Sequence, residues 1–402
     1  MSSYARTAIV LGLLAAVGPF AIDMYLPAMP TIAADLGAST AATQMTLMAF
    51  FIAFGLLQMV YGPVSDMAGR KAPLYFGLAL FTIGSAACAV APSIEWLIAG
   101  RVVQGIGASA VMVIPRAIVR DMYTGVEATR LMSLVMLVFS VSPILAPLAG
   151  SALIVPFGWR SVFIAVTAVG ALSIVLLFAF LPETHPAEKR IRVSTRALSS
   201  AVFTLLRHKQ FLGLTFIGGL GMSSFFSFLG TSSFVYIDHY GLTPTQYSLA
   251  FSVNAIGFIG ASQFAAYLGQ RFGMARVVLT CVTMFAFFAL ANFAVAMAGV
   301  DSLAVLMVLL FCSFAFLGLV IPTTMVLALD EHGPIAGVAS ALGGTLQMLL
   351  GGLLIVVLSQ FGHDSAVPML SGIAGCATGA FILSRLTLRR AAAAGPLPQA
   401  AE

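Results

Sequence analysis

Asp23 and Arg101 are the residues whose chemistry is most at odds with their setting, because each stands inside a long apolar stretch. A charge at bilayer depth is costly, so an ionisable group placed there is functional by default and calls for a partner. At 1.5 Å per residue, Asp23 lies about 22 Å along the first stretch and Arg101 about 7 Å down the fourth, entered from the opposite face, so their depths are comparable. The spacing therefore predicts an Asp23–Arg101 pair. Desolvation favours the neutral acid, a neighbouring guanidinium favours the carboxylate, and a change in water access shifts that balance. Such a group can load a proton on one side of a membrane and release it on the other. A static bridge that merely fastens two helices is the competing reading. Pro27, four residues after Asp23, removes a helix donor and clashes with the Asp23 carbonyl, so a bend is predicted between them. Freed backbone at that depth is tolerated only where protein or a wet cavity satisfies it.

The elements that must hold these residues follow from composition. Of 402 residues, 60% are hydrophobic and only 8% charged, with mean hydropathy +1.05, whereas soluble domains carry roughly 25% charged residues. Apolar runs long enough for one helical crossing each recur at roughly 8–29, 41–61, 73–92, 96–118, 131–154, 161–181, 211–235, 246–268, 276–298, 303–327, 335–359 and 367–387. This predicts an all-α membrane protein with twelve transmembrane helices. A cleavable leader competes for the first run, but the run continues past Asp23 to Pro27 and Pro30 without a small-residue cleavage site, so a retained helix is predicted. With the N-terminus inside, Arg70, Lys71, Arg120, Arg130, Lys189, Arg190, Arg192, Arg196, Arg207, Lys209, Arg271, Arg276, Arg385, Arg389 and Arg390 all fall on the cytoplasmic side, and Arg160 alone falls opposite. That bias puts both termini in the cytoplasm. It also accounts for the net charge of +5 without a nucleic-acid partner.

Catalytic chemistry finds no support. Cys88, Cys281, Cys312 and Cys376 stand singly in apolar runs, and His185, His208, His239, His332 and His363 fall in loops or at span ends; neither set has metal-ligand, disulfide or nucleophile spacing. No metal site, no cofactor and no enzyme activity is expected. Gly343-Gly344 and Gly351-Gly352 lie in apolar helices without the Lys of a phosphate-binding loop, which leaves the proton gradient as the energy source.

The longest polar stretch divides the chain into an N-terminal six-helix bundle at 1–182, a cytoplasmic linker loop at 183–210, a C-terminal six-helix bundle at 211–390 and a disordered cytoplasmic tail at 391–402. An internal echo supports duplication: Gly62-Pro63-Val64-Ser65-Asp66-Met67-Ala68-Gly69-Arg70-Lys71 follows the second run, and Leu268-Gly269-Gln270-Arg271-Phe272-Gly273 follows the eighth. Duplicated six-helix halves flanking a midplane substrate site are a recurrent design of secondary transporters.

The residues now carry a specific resemblance. Gly62-x-x-x-Asp66-x-x-Gly69-Arg70-Lys71 resembles motif A of the major facilitator superfamily, in the loop between helices two and three, and Leu97-x-x-x-Arg101-x-x-Gln104-Gly105-x-Gly107-Ala108 resembles its motif B. Asp23-Met24-Tyr25-Leu26-Pro27-Ala28-Met29-Pro30, Val119-Arg120-Asp121-Met122-Tyr123, Gly158-Trp159-Arg160-Ser161-Val162-Phe163, Leu181-Pro182-Glu183-Thr184 and Phe234-Val235-Tyr236-Ile237 are similar to the Bcr/CflA group of drug:proton antiporters. The resemblance implies the superfamily fold of two pseudo-symmetric six-helix bundles, usually monomeric, in the bacterial inner membrane. The implied activity is proton-coupled efflux of lipophilic drugs and antibiotics by alternating access. A carrier of one metabolite, such as a sugar, an amino-acid derivative or a siderophore, stays open as the alternative on the same fold.

It also implies roles. Gly62, Asp66, Gly69, Arg70 and Lys71 would form a cytoplasmic gate, with Arg70 reaching Asp121 at the inner end of helix four and Asp66 meeting the start of helix eleven near Gly333-Pro334-Ile335. Arg70 and Lys71 acting only as orientation signals is the plainer reading. Pro147 and Gly150 match the antiporter motif of helix five, where Ser142, Ala146 and Ser151 replace its glycines. Tyr25, Gln44, Phe51, Met112, Met222, Phe225, Phe226, Asn254, Phe258 and Gln347 are the candidates for lining the substrate site, since Met and aromatic surfaces adapt to varied shapes.

Overall fold

The computed structural model describes residues 3–190, 194–361 and 365–393, and among them the regular structure is helical. The helices are α1 (Ser3–Asp23), α2 (Met29–Asp35), α3 (Thr40–Ala68), α4 (Lys71–Ala89), α5 (Ile94–Met122), α6 (Gly125–Phe157), α7 (Arg160–Phe180), α8 (Thr195–Arg207), α9 (Lys209–Ser233), α10 (Pro244–Ser262), α11 (Ala265–Phe272), α12 (Met274–Met297), α13 (Leu303–Asp330), α14 (Ala336–Leu358) and α15 (Val367–Ala393). Among the described residues, twelve segments are long and apolar enough to cross a membrane, the first running from Arg6 to Asp35 through α1 and α2. Side chains cap several ends: the Ser39 hydroxyl accepts from the Ala42 amide at 3.1 Å before α3, and the Ser93 hydroxyl from the Trp96 amide at 3.4 Å before α5. Each satisfies one of the donors a helix start leaves without an intrahelical partner.

The chain divides into two compact units, one of residues 1–197 with 236–252, the other of 198–235 with 253–402. In the first, α1 packs on α5, α6 and α7, while α4 packs on α5 and α7. In the second, α9 packs on α13, α14 and α15, while α12 packs on α13 and α15. Shifted by six spans, the second set of pairings repeats the first, so the duplication read in the sequence is present in the packing. Residues 236–252 join the first unit through two hydroxyls on one face of α10: Ser248 donates to the Pro147 carbonyl and Ser252 to the Ile144 carbonyl, both at 2.8 Å.

Two segments differ from the sequence reading. The stretch 183–210, read as a linker loop, contains α8, because Ala197, Leu198, Ala201, Val202 and Leu205 recur at helical spacing beneath the run of basic residues. At the C-terminus α15 continues to Ala393, and the remainder of the tail read as disordered, like His363, lies outside the described residues.

Candidate functional site

The first site is built where α1 breaks. The helix ends at Asp23, a 3₁₀ turn spans Leu26–Ala28 around Pro27, and α2 resumes at Met29, as Pro27 requires. A helix that stops leaves its last carbonyls without intrahelical donors. Arg101 of α5 takes one of them: its Nη1 donates to the Ala21 carbonyl at 3.0 Å and to Gln104 Oε1 at 2.5 Å. Gln104 is held in turn, its Nε2 donating to Ser85 Oγ at 2.7 Å. The guanidinium carbon lies 4.7 Å from the Tyr25 ring centroid and 4.5 Å from that of Phe50, and the Tyr25 hydroxyl is fixed against Thr46 Oγ1 at 2.5 Å. A cation over an aromatic face gains about 2 kcal/mol when desolvated. Arg101 is fully buried at 0% exposure, yet its Nε and Nη2 have no hydrogen-bond partner.

The predicted Asp23–Arg101 ion pair is not formed. Among the described residues the ion pairs are Arg70 with Asp66 and Asp121, Arg160 with Asp35, and His208 with Glu331. The reason is geometric. Arg101 meets the Ala21 carbonyl of α1 and the Tyr25 ring just beyond the helix end, whereas Asp23 is turned about 200° from Ala21. Its side chain is 6% exposed and pairs with no cation among the described residues. Depth alone could not reveal which face each side chain takes.

The second site surrounds Arg70, between α3 and α4. Its Nε donates to Asp121 Oδ2 at 2.7 Å, its Nη2 to Asp121 Oδ1 at 3.3 Å, and its Nη1 to Ser65 Oγ at 2.8 Å and Asp66 Oδ1 at 2.5 Å. Asp66 lies in the last turn of α3 and Arg70 just beyond its end, so the contact folds back across the break at Gly69 and is not a pair on one helical face, and Asp121 arrives from the last turn of α5. A further acid, whose place in this cluster was not read from the sequence, completes it: Glu183 accepts the Arg70 amide at 2.9 Å and the Lys71 amide at 3.1 Å. It therefore sits on the positive end of α4. Burial alone would raise its pKa, but the amides of His185, Arg70, Lys71 and Thr184 hold the carboxyl below the usual glutamate range. Burial likewise opposes the charge on Arg70, and Asp121 and Asp66 hold it above the usual arginine value. Gly69 has φ +93°, and a Cβ there would stand 2.8 Å from both Glu183 Oε2 and Arg190 Nη2. The structure thus joins Asp66, Gly69, Arg70 and Asp121; Gly62 contributes its carbonyl to Ser65 Oγ at 2.9 Å, and the Lys71 ammonium lies 5.7 Å from the Tyr75 ring centroid.

The remaining candidates scatter. Gly150 of α6 is where helix and broken segment touch: an added Cβ would collide with the Met24 carbonyl oxygen. Pro147, one turn earlier, offers the carbonyl that Ser248 binds. Tyr25, Gln44, Phe51, Phe226 and Asn254 are buried, whereas Met112, Met222, Phe225, Phe258 and Gln347 keep partial exposure. Met112 Sδ accepts a contact from Arg116 Nη2 at 3.8 Å. In the second unit Phe225 stacks on Phe258 at 5.5 Å and meets Phe314 edge-on at 5.8 Å, while Phe226 fills the space against Gly351. Gln347 lines a cavity of about 60 Å³ beside Thr215 and Thr324. Glu183, Gln104, Ser85 and Phe50 are the members sequence reasoning missed as functional partners. Gln104 and Glu183 stood inside quoted motifs, whereas nothing in the sequence singled out Ser85 or Phe50.

The model of the Major Facilitator Superfamily matches residues 11–356. An uncharacterized MFS-type transporter of Bacillus subtilis, YdgK, is 37% identical over 367 residues, covering 90% of this chain and 90% of its own. A bicyclomycin resistance protein homolog of Haemophilus influenzae is 29% identical over 374 residues, with 92% of each chain covered. Among solved structures, a D-xylose-proton symporter aligns with TM-score 0.74 over 95% of this chain and 96% of its own, at 16% identity, a likeness of fold.

Proposed function

The chain belongs to the Major Facilitator Superfamily, and we propose that it exports lipophilic, drug-like molecules in exchange for protons across the bacterial inner membrane, with Asp23 as the proton-binding group. It is a multi-pass membrane transporter and not an enzyme. The observation that carries the coupling is the charge imbalance at the break in α1. A guanidinium is buried with two nitrogens, Nε and Nη2, unpartnered, while a buried carboxyl group nearby in sequence to its aromatic cradle has no cation. A buried charge without a counter-charge is unfavourable, so in this state Asp23 carries its proton and Arg101 rests on the rings of Tyr25 and Phe50 and on neutral acceptors. Loss of the proton creates an anion for which Nε and Nη2 of Arg101 are the available donors. The break at residues 24–28 is the joint that can turn Asp23 toward them. Alternating exposure of that carboxyl to the two sides then couples proton entry to substrate exit, and the Arg70 cluster closes the cytoplasmic side.

The drug-like substrate rests on the kinship with the bicyclomycin resistance homolog and on the aromatic and methionine candidates Tyr25, Phe51, Met112, Met222, Phe225, Phe226 and Phe258, with Gln44, Asn254 and Gln347 as sparse polar contacts. The test is growth of a strain stripped of its own pumps. Wild-type protein is expected to raise resistance to several chemically unrelated lipophilic compounds, and Asp23→Asn, expressed to the same level, to none. A carrier of one metabolite leaves every compound's potency unchanged and contradicts the drug reading.

A further inference from the structure

Helix α8 has two distinct apolar sides. Leu205 is buried, and Leu198, Ala201 and Val202 are half-buried, so that side is taken up by the protein. At 100° per residue, Phe203 and Leu206 fall on an adjoining edge, within about 20–100° of Arg196 and Arg207. Phe203 is 54% exposed and Leu206 43%, and the Arg207 guanidinium lies over the Phe203 ring at 4.0 Å. The edge is thus aromatic and aliphatic with cations alongside, the arrangement of a helix that lies in a membrane interface.

Position and charge argue for the same surface. Only His208 separates Arg207 from Lys209, the first residue of the seventh span, so the end of α8 is anchored where that span leaves the membrane. From Lys189 to Lys209 the chain carries six lysines and arginines and no acid; the next acidic residue is Asp238. We propose that α8 is a surface-lying helix that binds the anionic headgroups of the bilayer, with Phe203 and Leu206 entering the acyl boundary and Arg196, Arg207 and Lys209 meeting the phosphates. The occupant is lipid, because Arg196, Arg207 and Lys209 outnumber the one carboxylate beside them among the described residues, Glu331 against His208, and cations next to exposed apolar side chains complement an anionic membrane surface; the helix is held against that surface by the following span. The long arginine side chains keep their heads in the polar layer while their stems cover Phe203 and its neighbours.

The experiment uses the full-length protein in nanodiscs of phosphatidylcholine alone or mixed with phosphatidylglycerol, with Phe203→Trp as the probe and the unsubstituted protein subtracted to remove the native tryptophans. Emission from residue 203 is expected to shift to the blue and to be quenched by brominated phosphatidylglycerol roughly twofold more than by brominated phosphatidylcholine. Adding Arg196→Gln, Arg207→Gln and Lys209→Gln to the probe protein is expected to erase that preference. Red-shifted, unquenched emission in both lipids overturns the proposal. So does a preference for phosphatidylglycerol that survives the three substitutions in correctly assembled protein, since the cations would then act only in setting orientation.

Discussion

Arg70 and Arg101 are both buried arginines of the same unit, and they are satisfied in opposite ways. Arg70, 5% exposed, has two carboxylates and a serine on its guanidinium, and a third carboxylate on its backbone amide. Arg101, 0% exposed, has no carboxylate at all, only a backbone carbonyl, an amide oxygen and two ring faces. The first arrangement lowers the energy of one conformation and behaves as a clasp. The second leaves bonding capacity unused, so it can be completed by another conformation or by a proton's departure. A buried charge is thus structural where its partners are complete and convertible where they are not.

Substituting each arginine by methionine, which keeps most of the volume, sharpens that contrast. Arg70→Met strands Asp121 and is expected to cost about 3 kcal/mol, with little added for Asp66, which is 47% exposed and screened by water. Arg101→Met strands no opposite charge, so its stability should stay within about 1 kcal/mol of wild type or rise, even as uphill transport is lost. Apparent melting temperatures in detergent check both. Equal losses at the two sites would erase the distinction.

Gly150→Ala comes next. Overpacking costs about 1–3 kcal/mol, and the gain from replacing glycine inside a helix returns roughly 1 kcal/mol. The net loss should arise at Met24, so it should add to that of Arg70→Met and not to that of Arg101→Met, because contacts sharing one backbone segment are non-additive. A double-mutant cycle by thermal unfolding measures this.

The smallest effect concerns Glu183. Its carboxyl is held below the ordinary glutamate value in the folded protein, so its contribution is fully present above the unfolded value of about 4.3 and disappears as pH falls through the lower folded value. The melting-temperature difference between wild type and Glu183→Gln should therefore be constant from neutral pH to about pH 5 and should shrink in more acidic buffer. A difference that grows on acidification contradicts this placement.

What the sequence made legible follows the same divide. The twelve crossings and the duplicated pattern are set by hydropathy and loop charge, which are one-dimensional properties, and the packing repeats them. The contact of Arg70 with Asp66 was legible because the motif sets them four residues apart, although α3 ends between them at Ala68, and Asp121 because the motif fixes which helix end lies opposite. The partners of Arg101 were not, since depth places a residue along a span but says nothing of which way it faces. About half a turn of α1 separates Asp23 from Ala21, whose carbonyl Arg101 binds. Helix α8 was hidden for another reason: the charges flanking it, from Glu183 to Arg192 and at Lys209, set the polar character of 183–210, and its own apolar spacing is only about three turns long.

The central claim is that Asp23 holds the proton exchanged for substrate, and substrate-driven proton release tests it most directly. Purified protein reconstituted in lightly buffered vesicles, given a compound to which it confers resistance, is expected to release protons. Asp23→Asn should bind the compound and release none. Release of equal size from Asp23→Asn, with binding intact, would contradict the account and move the coupling site elsewhere in the chain.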